Sequence, residues 1–181
     1  METSTLPLEL LRYPLGRYEA PPLYGSAFVK QSLTSLEALP AKLRAAVHPL
    51  SDEQLDTPYR PGGWTLRQVV HHVADSHINA YTRFRLALTE DIPVIKPYQE
   101  SPWAYLHDAH WADPALSLQL LEALHQRWII LLRSLCMEEW HRSFYHPESG
   151  EVYLFQAAGM YAWHGEHHVG HIDSLKQRMG W

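Results

Sequence analysis

Cysteine is almost missing from this chain: Cys136 stands alone in 181 residues. A disulfide framework within the chain is thereby excluded, as suits a reducing compartment. Long apolar runs are missing too, since no stretch reaches the roughly eighteen residues that a membrane-crossing helix requires. The opening METSTLPLELLRYPLG has no basic segment followed by an apolar one, so it does not read as a secretory leader. There is no run of Lys or Arg, and 15 basic against 20 acidic residues leave a net charge of −5, which argues against a nucleic-acid or anionic-membrane partner. Internal repeats and low-complexity segments are absent as well. The expectation is a soluble, cytoplasmic protein whose partner is a small molecule, with no nucleic acid and no membrane. Apolar content of 46% with 19% charged residues is that of an ordinary globular chain, and the length suits one domain spanning 1–181.

What is present is four amphipathic helical patterns. Residues 1–25, with YPLGRYEAPPLYG, read as an extended N-terminal arm. A first helix spans about Ser26 to Val47, with Phe28, Leu33, Leu36 and Leu43 among its apolar positions and Pro40 placed to kink or divide it. The second opens at GGWTLRQ, where Thr65 and Gln68 have the spacing of a capping box, and runs to about Thr89 before Ile92-Pro93. Residues 91–112 carry Pro93, Pro97 and Pro102 and read as a long loop. Asp113-Pro114 is an N-cap followed by Pro at the first helical position, opening a third helix to about Leu135. SFYHPESGEVYLF suits a small β-hairpin around PESG, and the last helix covers about Leu154 to Arg178. These patterns predict an all-α fold: an antiparallel four-helix bundle with a long crossover and one small hairpin.

The composition is unusual in its 13 histidines, and four of them fall within WHGEHHVGHI: His164, His167, His168 and His171. At about 100° per residue, with His164 at zero, His168 falls near 40°, His171 near −20° and His167 near −60°. Ala157, Met160, Tyr161 and Leu175 share this arc, while Glu166, Asp173 and Gln177 lie opposite. The rings therefore sit on the stripe that faces a bundle's interior, and solvated surface is excluded for His164, His168 and His171. Two readings stay open: separately hydrogen-bonded core histidines, each needing its own buried partner, or a shared metal ion. Histidines at i and i+4 stack one turn apart, the spacing of helical zinc sites, and the pattern occurs as His164–His168 and as His167–His171.

A further ligand is expected from VVHHVADSH on the second helix, with His71, His72 and His77. Leu66, Val70, Val73, Tyr81, Phe84 and Leu88 define its apolar stripe. His77 lies on that stripe, and His71 and His72 fall to either side of it. Periodicity alone nominates His77; Ser76 and Ala80 leave small neighbours one and two turns beyond His72.

GGWTLRQVVHHVADSH, FYHP and WHGEHHVGHI, in that order and spacing, resemble the DinB/YfiT-like superfamily. The likeness is greatest to its YfiT-like members, which are regarded as metal-dependent hydrolases and are related to bacillithiol S-transferases. It extends from YPLGRYEAP to RMGW, nearly the whole chain. It implies a four-helix bundle, often a homodimer, with one divalent metal ion held by three histidines. The helix-two histidine of the family precedes an apolar and a small residue, as in His72-Val73-Ala74, and the last-helix pair matches His164 and His168. The resemblance thus implies His72, His164 and His168 as ligands, against the periodicity that favours His77, and we follow the resemblance. Many relatives carry Gln at the position of His171, which makes His171 a residue beside the ligands or a proton-transfer group; His167 is a further candidate for proton transfer or ligand orientation.

Three imidazoles suit Zn or Ni, and also Co, Fe or Mn. Three protein ligands leave a position open, as in catalytic rather than structural sites. Two chemistries follow: hydrolysis by activated water, or transfer of a low-molecular-weight thiol cosubstrate. A module that binds metal or ligand without turnover is the third. No carboxylate stands where a zincin's Glu would, and Glu166 points away, a solvated charge. Trp64 and Trp163 read as core aromatics, Cys136 as a buried thiol, His146 as a loop residue, and Arg83 and Arg85 as surface salt links.

Overall fold

The computed structural model describes residues 7–21 and 24–181. In chain order its helices are α1 (Leu8–Arg12), α2 (Ser26–Val47), α3 (Asp52–Leu55), α4 (Leu66–Thr89), α5 (Glu100–Ala104), α6 (His107–Trp111), α7 (Pro114–Ser134), α8 (Met137–Trp140) and α9 (Leu154–Met179). Strands β1 (Ser143–His146) and β2 (Gly150–Tyr153) form one antiparallel hairpin ahead of α9.

Local chemistry sets the ends of the long helices. At α4 the Thr65 hydroxyl accepts from the Gln68 amide, and the Gln68 side chain accepts from the Thr65 amide, which satisfies two otherwise orphaned donors. At α7 the Asp113 carboxylate accepts from the Ala115 amide and Pro114 takes the first turn, where no amide proton is needed. α9 stops at Gly180, whose φ of 71° is the left-handed conformation that glycine adopts without strain. Pro40 stays inside an unbroken α2.

The four long helices form the bundle, α2 and α4 each packing against both α7 and α9. The diagonals of the bundle are therefore α2–α4 and α7–α9. α2 and α9 run parallel, for Phe28 meets Gly159, Leu39 meets Gly165, and Lys176 reaches the Ala46 carbonyl. α4 and α7 also run parallel, with His71 on Ser117, His77 on His125 and Phe84 on Trp128. The other two lateral pairs are antiparallel, as the links Arg44–Glu122 and Arg133–Glu37, and then His72–His164 and Arg83–Tyr161, require. The direction is thus mixed and not antiparallel throughout: the crossover after α4 carries the chain back along the bundle, so α7 starts at the same end as α4.

Three stretches differ from their sequence reading. Residues 91–112 hold α5 and α6 and are not an unstructured loop; Gln68 ties them down through the Ala104 carbonyl, at 2.6 Å. The N-terminal arm contains the helical turn α1 and is not extended throughout, and its residues 1–6, 22 and 23 lie outside those described. Cys136 is exposed, because the apolar pattern ends with α7 and the cysteine heads the separate turn α8.

Two apolar clusters fill the interior, one around Leu36, Phe84, Trp128 and Leu154, the other around Leu39, Leu43, Val69, Val73, Leu121 and Ile172. Between them the helices contribute histidines: His77 between Val73 and Ala80, His125 between Leu121 and Trp128, and His164 and His168 between Tyr161 and Val169. A transverse layer of imidazoles thus divides the core.

At Gly165 a side chain would collide with Leu39, which is 1% exposed and has nowhere to move. Gly165→Ala is expected to cost about 1–3 kcal/mol through overpacking. Thermal unfolding measured against the parent chain checks this, and an unchanged Tm would contradict the close approach of α2 and α9.

Candidate metal centre

α4 and α9 run antiparallel at the histidine layer, which faces His72 toward His164 and His168. One donor nitrogen from each of these three rings lies within 4.8 Å of the others. His164 Nε2 is 3.2 Å from His72 Nε2 and 3.2 Å from His168 Nε2. A tetrahedral ion with nitrogen ligands at about 2.0–2.1 Å needs them roughly 3.3 Å apart, so the spacing fits. The chemistry of the donors fits as well. Three neutral imidazoles cannot satisfy one another through three converging Nε2 atoms, since two facing lone pairs repel and one proton serves only one pair. A cation at the centre satisfies all three.

Burial keeps these rings neutral, which is the state that binds metal. It pushes His72 down to about 4, with the His171 ring adding to the effect. His164 and His168 are held well below the ordinary histidine value, first by burial and then by the neighbouring rings. The Trp64 ring packs on His72 with centroids 4.6 Å apart, so this tryptophan lines the cluster as well as the core.

The other sequence candidates fall in different places. His171 is buried beside His168, the two Nδ1 atoms 3.4 Å apart, and its Nε2–H donates to the Arg12 carbonyl at 2.9 Å. His167 lies under Trp163, the rings stacked at 4.5 Å. His71 is a separately satisfied core histidine, bonded to Ser117 and to the Ala112 carbonyl. His77 is fully buried, as its stripe position requires, but its Nδ1 faces His125 Nε2 at 2.9 Å and it does not join the three. The stripe average fails for His72 because α4 is covered by α7 on one flank and α9 on the other, which buries almost its whole first half. Glu166 does point away from the cluster, but it is half-buried and paired rather than a solvated charge, accepting from Ser35 and Lys42 of α2.

Beside the cluster a cavity of about 400 Å³ reaches His164 and is walled by Arg83, Tyr98, Glu100, His146, Glu148 and Tyr161 among others. Arg83 is not a surface salt link: its guanidinium donates to the Tyr161 hydroxyl at 2.7 Å. Burial raises the Glu100 carboxyl against the opposing pull of Arg83. His146 ends β1 and faces the same cavity. Tyr98 and Glu100 escape sequence reasoning because they lie in the crossover, where no periodicity marks a direction. A larger groove of about 640 Å³ lies between α2 and α7, but none of the three clustered histidines lines it.

A four-helix bundle with a buried three-histidine cluster at its middle is the class of protein that fold and site define. Residues 35–172 match the model of the DinB superfamily, and the chain belongs to that superfamily. It is 50% identical over 172 residues to YfiT of Bacillus subtilis (strain 168), covering 94% of this chain and 97% of that one; the name of that protein marks it as a candidate metal-dependent hydrolase. A relative from Bacillus cereus (strain 03BB102), named in the same way, is 50% identical over 171 residues, 94% of this chain and 98% of its own. The solved structure of Bacillus subtilis YfiT, described as a probable metal-dependent hydrolase with an unusual four-helix bundle topology, superposes with a TM-score of 0.92, covering 95% of this chain and 99% of that one. TT2238, a four-helix bundle protein 20% identical to this chain, superposes with a TM-score of 0.54 over 78% of this chain and 94% of that one, and shares the fold.

The buried neutral rings carry a pH dependence whose sign is fixed. In the unfolded chain a histidine takes up its proton near pH 6.5. In the folded chain His72 and His125 resist it down to about 4. Between these values the unfolded chain binds more protons, so stability is complete above about pH 7 and falls as the pH drops toward 4. Urea unfolding of the chelator-treated protein is expected to show a lower midpoint at pH 5 than at pH 7, with no further gain at pH 8. An equal midpoint at pH 5 would count against the neutral layer.

Proposed function

We propose that the chain is a divalent-metal-dependent hydrolase of a small molecule, with His72, His164 and His168 holding one ion per chain. One observation carries this reading: three neutral rings, His72 and His168 buried and His164 half-buried, turn their Nε2 atoms to a common point beside a cavity. Zinc or nickel suits three imidazoles, with cobalt, iron or manganese also compatible. When bound, such an ion supplies Lewis acidity, polarising a substrate oxygen and acidifying a water.

The chain's own groups do the rest. His171 positions His168: its Nε2 proton is committed to the Arg12 carbonyl, so its Nδ1 accepts the Nδ1 proton of His168 and leaves His168 Nε2 bare. That role replaces proton transfer for His171. Arg83, steadied by the Tyr161 hydroxyl, offers its remaining N–H groups to an oxygen of the substrate in the cavity. The Glu100 carboxyl, raised by burial, is placed to accept or return a proton there.

Transfer of a thiol is the second reading. It is favoured by the cluster's composition: among the described residues it holds histidines only, with no carboxylate to take a proton from water. An ion held there would lower the pKa of a thiol far enough for the thiolate to prevail at neutral pH, its proton passing to solvent, so that no adjacent base would be needed. Exposed Tyr105, Leu106, Trp111 and Leu116 support pairing with a second copy of the chain.

Purified protein is expected to contain about one divalent ion per chain by elemental analysis, and His164→Ala combined with His168→Ala is expected to lose most of it. Full occupancy in that double variant would refute the ligand set. Hydrolysis of a panel of esters and amides is expected to vanish on chelation and return with metal; turnover that requires an added thiol would select the second reading. Light scattering is expected to give a dimer, and a monomer at high concentration would count against pairing.

A further inference from the structure

His77 and His125 are the rings of the central layer that the proposed ion does not use. Both are buried, at 0% and 2% exposure, with an edge of His125 lining the groove between α2 and α7. His125 Nδ1 is 2.6 Å from the Leu36 carbonyl oxygen. That oxygen can only accept, so His125 carries its proton on Nδ1, and a neutral imidazole has only one. His125 Nε2 is therefore a bare acceptor. It faces His77 Nδ1 at 2.9 Å, so His77 donates from Nδ1 and its own Nε2 is bare in turn.

That Nε2 atom of His77 is buried and has no partner. The ring nearest to it in the proposed site is His164, with centroids 5.7 Å apart. His164 also has one buried nitrogen without a partner, Nδ1. If His164 gives its Nε2 lone pair to an ion, Nδ1 must hold the ring's proton. A bare acceptor and an orphaned donor thus sit on neighbouring rings, and the polarity that makes them complementary starts at a backbone carbonyl two rings away.

We infer that His77 and His125 are positioning residues for His164: the Leu36 carbonyl sets the tautomer of His125, His125 sets that of His77, and His77 Nε2 accepts the Nδ1 proton of His164 through one bridging water. The inference rests on the three-histidine site proposed above. Such a partner fixes the ring's orientation and raises the basicity of the donating nitrogen. His171 serves His168 in a similar manner: its far nitrogen is anchored directly on the Arg12 carbonyl, whereas that of His77 reaches the Leu36 carbonyl through His125. Trp128 Nε1–H is a further unpartnered buried donor beside His77, and serves as the control.

The test uses the full chain, metal-free and then titrated with Zn²⁺. Long-range ¹H–¹⁵N correlation of the imidazoles is expected to find His77 and His125 protonated on Nδ1 in both states. The zinc Kd, measured against a chromophoric chelator, is expected to rise about tenfold or more in His77→Leu. His77→Gln, whose amide oxygen can accept, is expected to recover much of the loss, and Trp128→Phe to stay near the parent value. A folded His77→Leu with an unchanged Kd, or His77 protonated on Nε2, overturns the relay while leaving the metal site standing. A parent chain that binds no zinc overturns the site and the relay with it. Should His77→Leu fail to fold, the tautomers of the parent chain decide the question.

Discussion

Imidazoles buried across the middle of a helical bundle are left with one protonation state and few orientations. Burial disfavours the charged form, and each neutral ring then needs a donor on one side and an acceptor on the other. Much of this structure answers that demand. His71 is met by Ser117 and the Ala112 carbonyl, His125 by the Leu36 carbonyl, and His171 by the Arg12 carbonyl. Those partners lie on α7, on the end of the crossover, on α2 and on the N-terminal arm. The layer therefore ties the outlying segments to the bundle as well as dividing its core.

Topology decides which histidines meet. Because α4 and α7 run parallel and α9 opposes α4, rings from α4 can face α9 on one flank and α7 on the other. His72 takes the first course and His77, five residues on, takes the second. The glycines of α9 let α2 approach α9 closely, and the packing of α2 on α7 brings the Leu36 carbonyl to His125. The crossover and the hairpin then supply Tyr98, Glu100, His146 and Glu148 as walls of the cavity at the open side of the layer.

The four long helices, the hairpin and the capping residues Thr65, Gln68 and Asp113 were legible because each depends on residues within one turn of another. The inward facing of His164, His168 and His171 was legible for the same reason. His72 was not, since a single stripe cannot describe a helix buried on two flanks; the family resemblance and not the periodicity pointed to it. His125 went unnoticed because one histidine in an apolar run has no spacing partner. Arg83 was taken for a surface salt link, and Cys136 for a buried thiol, because both judgements extended a helical pattern to groups whose surroundings are set by distant segments: Tyr161 for the arginine, the break before α8 for the cysteine.

The separation of the clustered rings along the chain has a kinetic side. His72 and His164 are 92 residues apart and meet only where α9 docks on α4. A nascent or partly unfolded chain has at most the pair on α9, a weak grip. Tight capture of an ion by all three rings would therefore act as a checkpoint on assembly, retaining metal only in molecules whose last helix has found its place and withdrawing it as soon as that helix peels away.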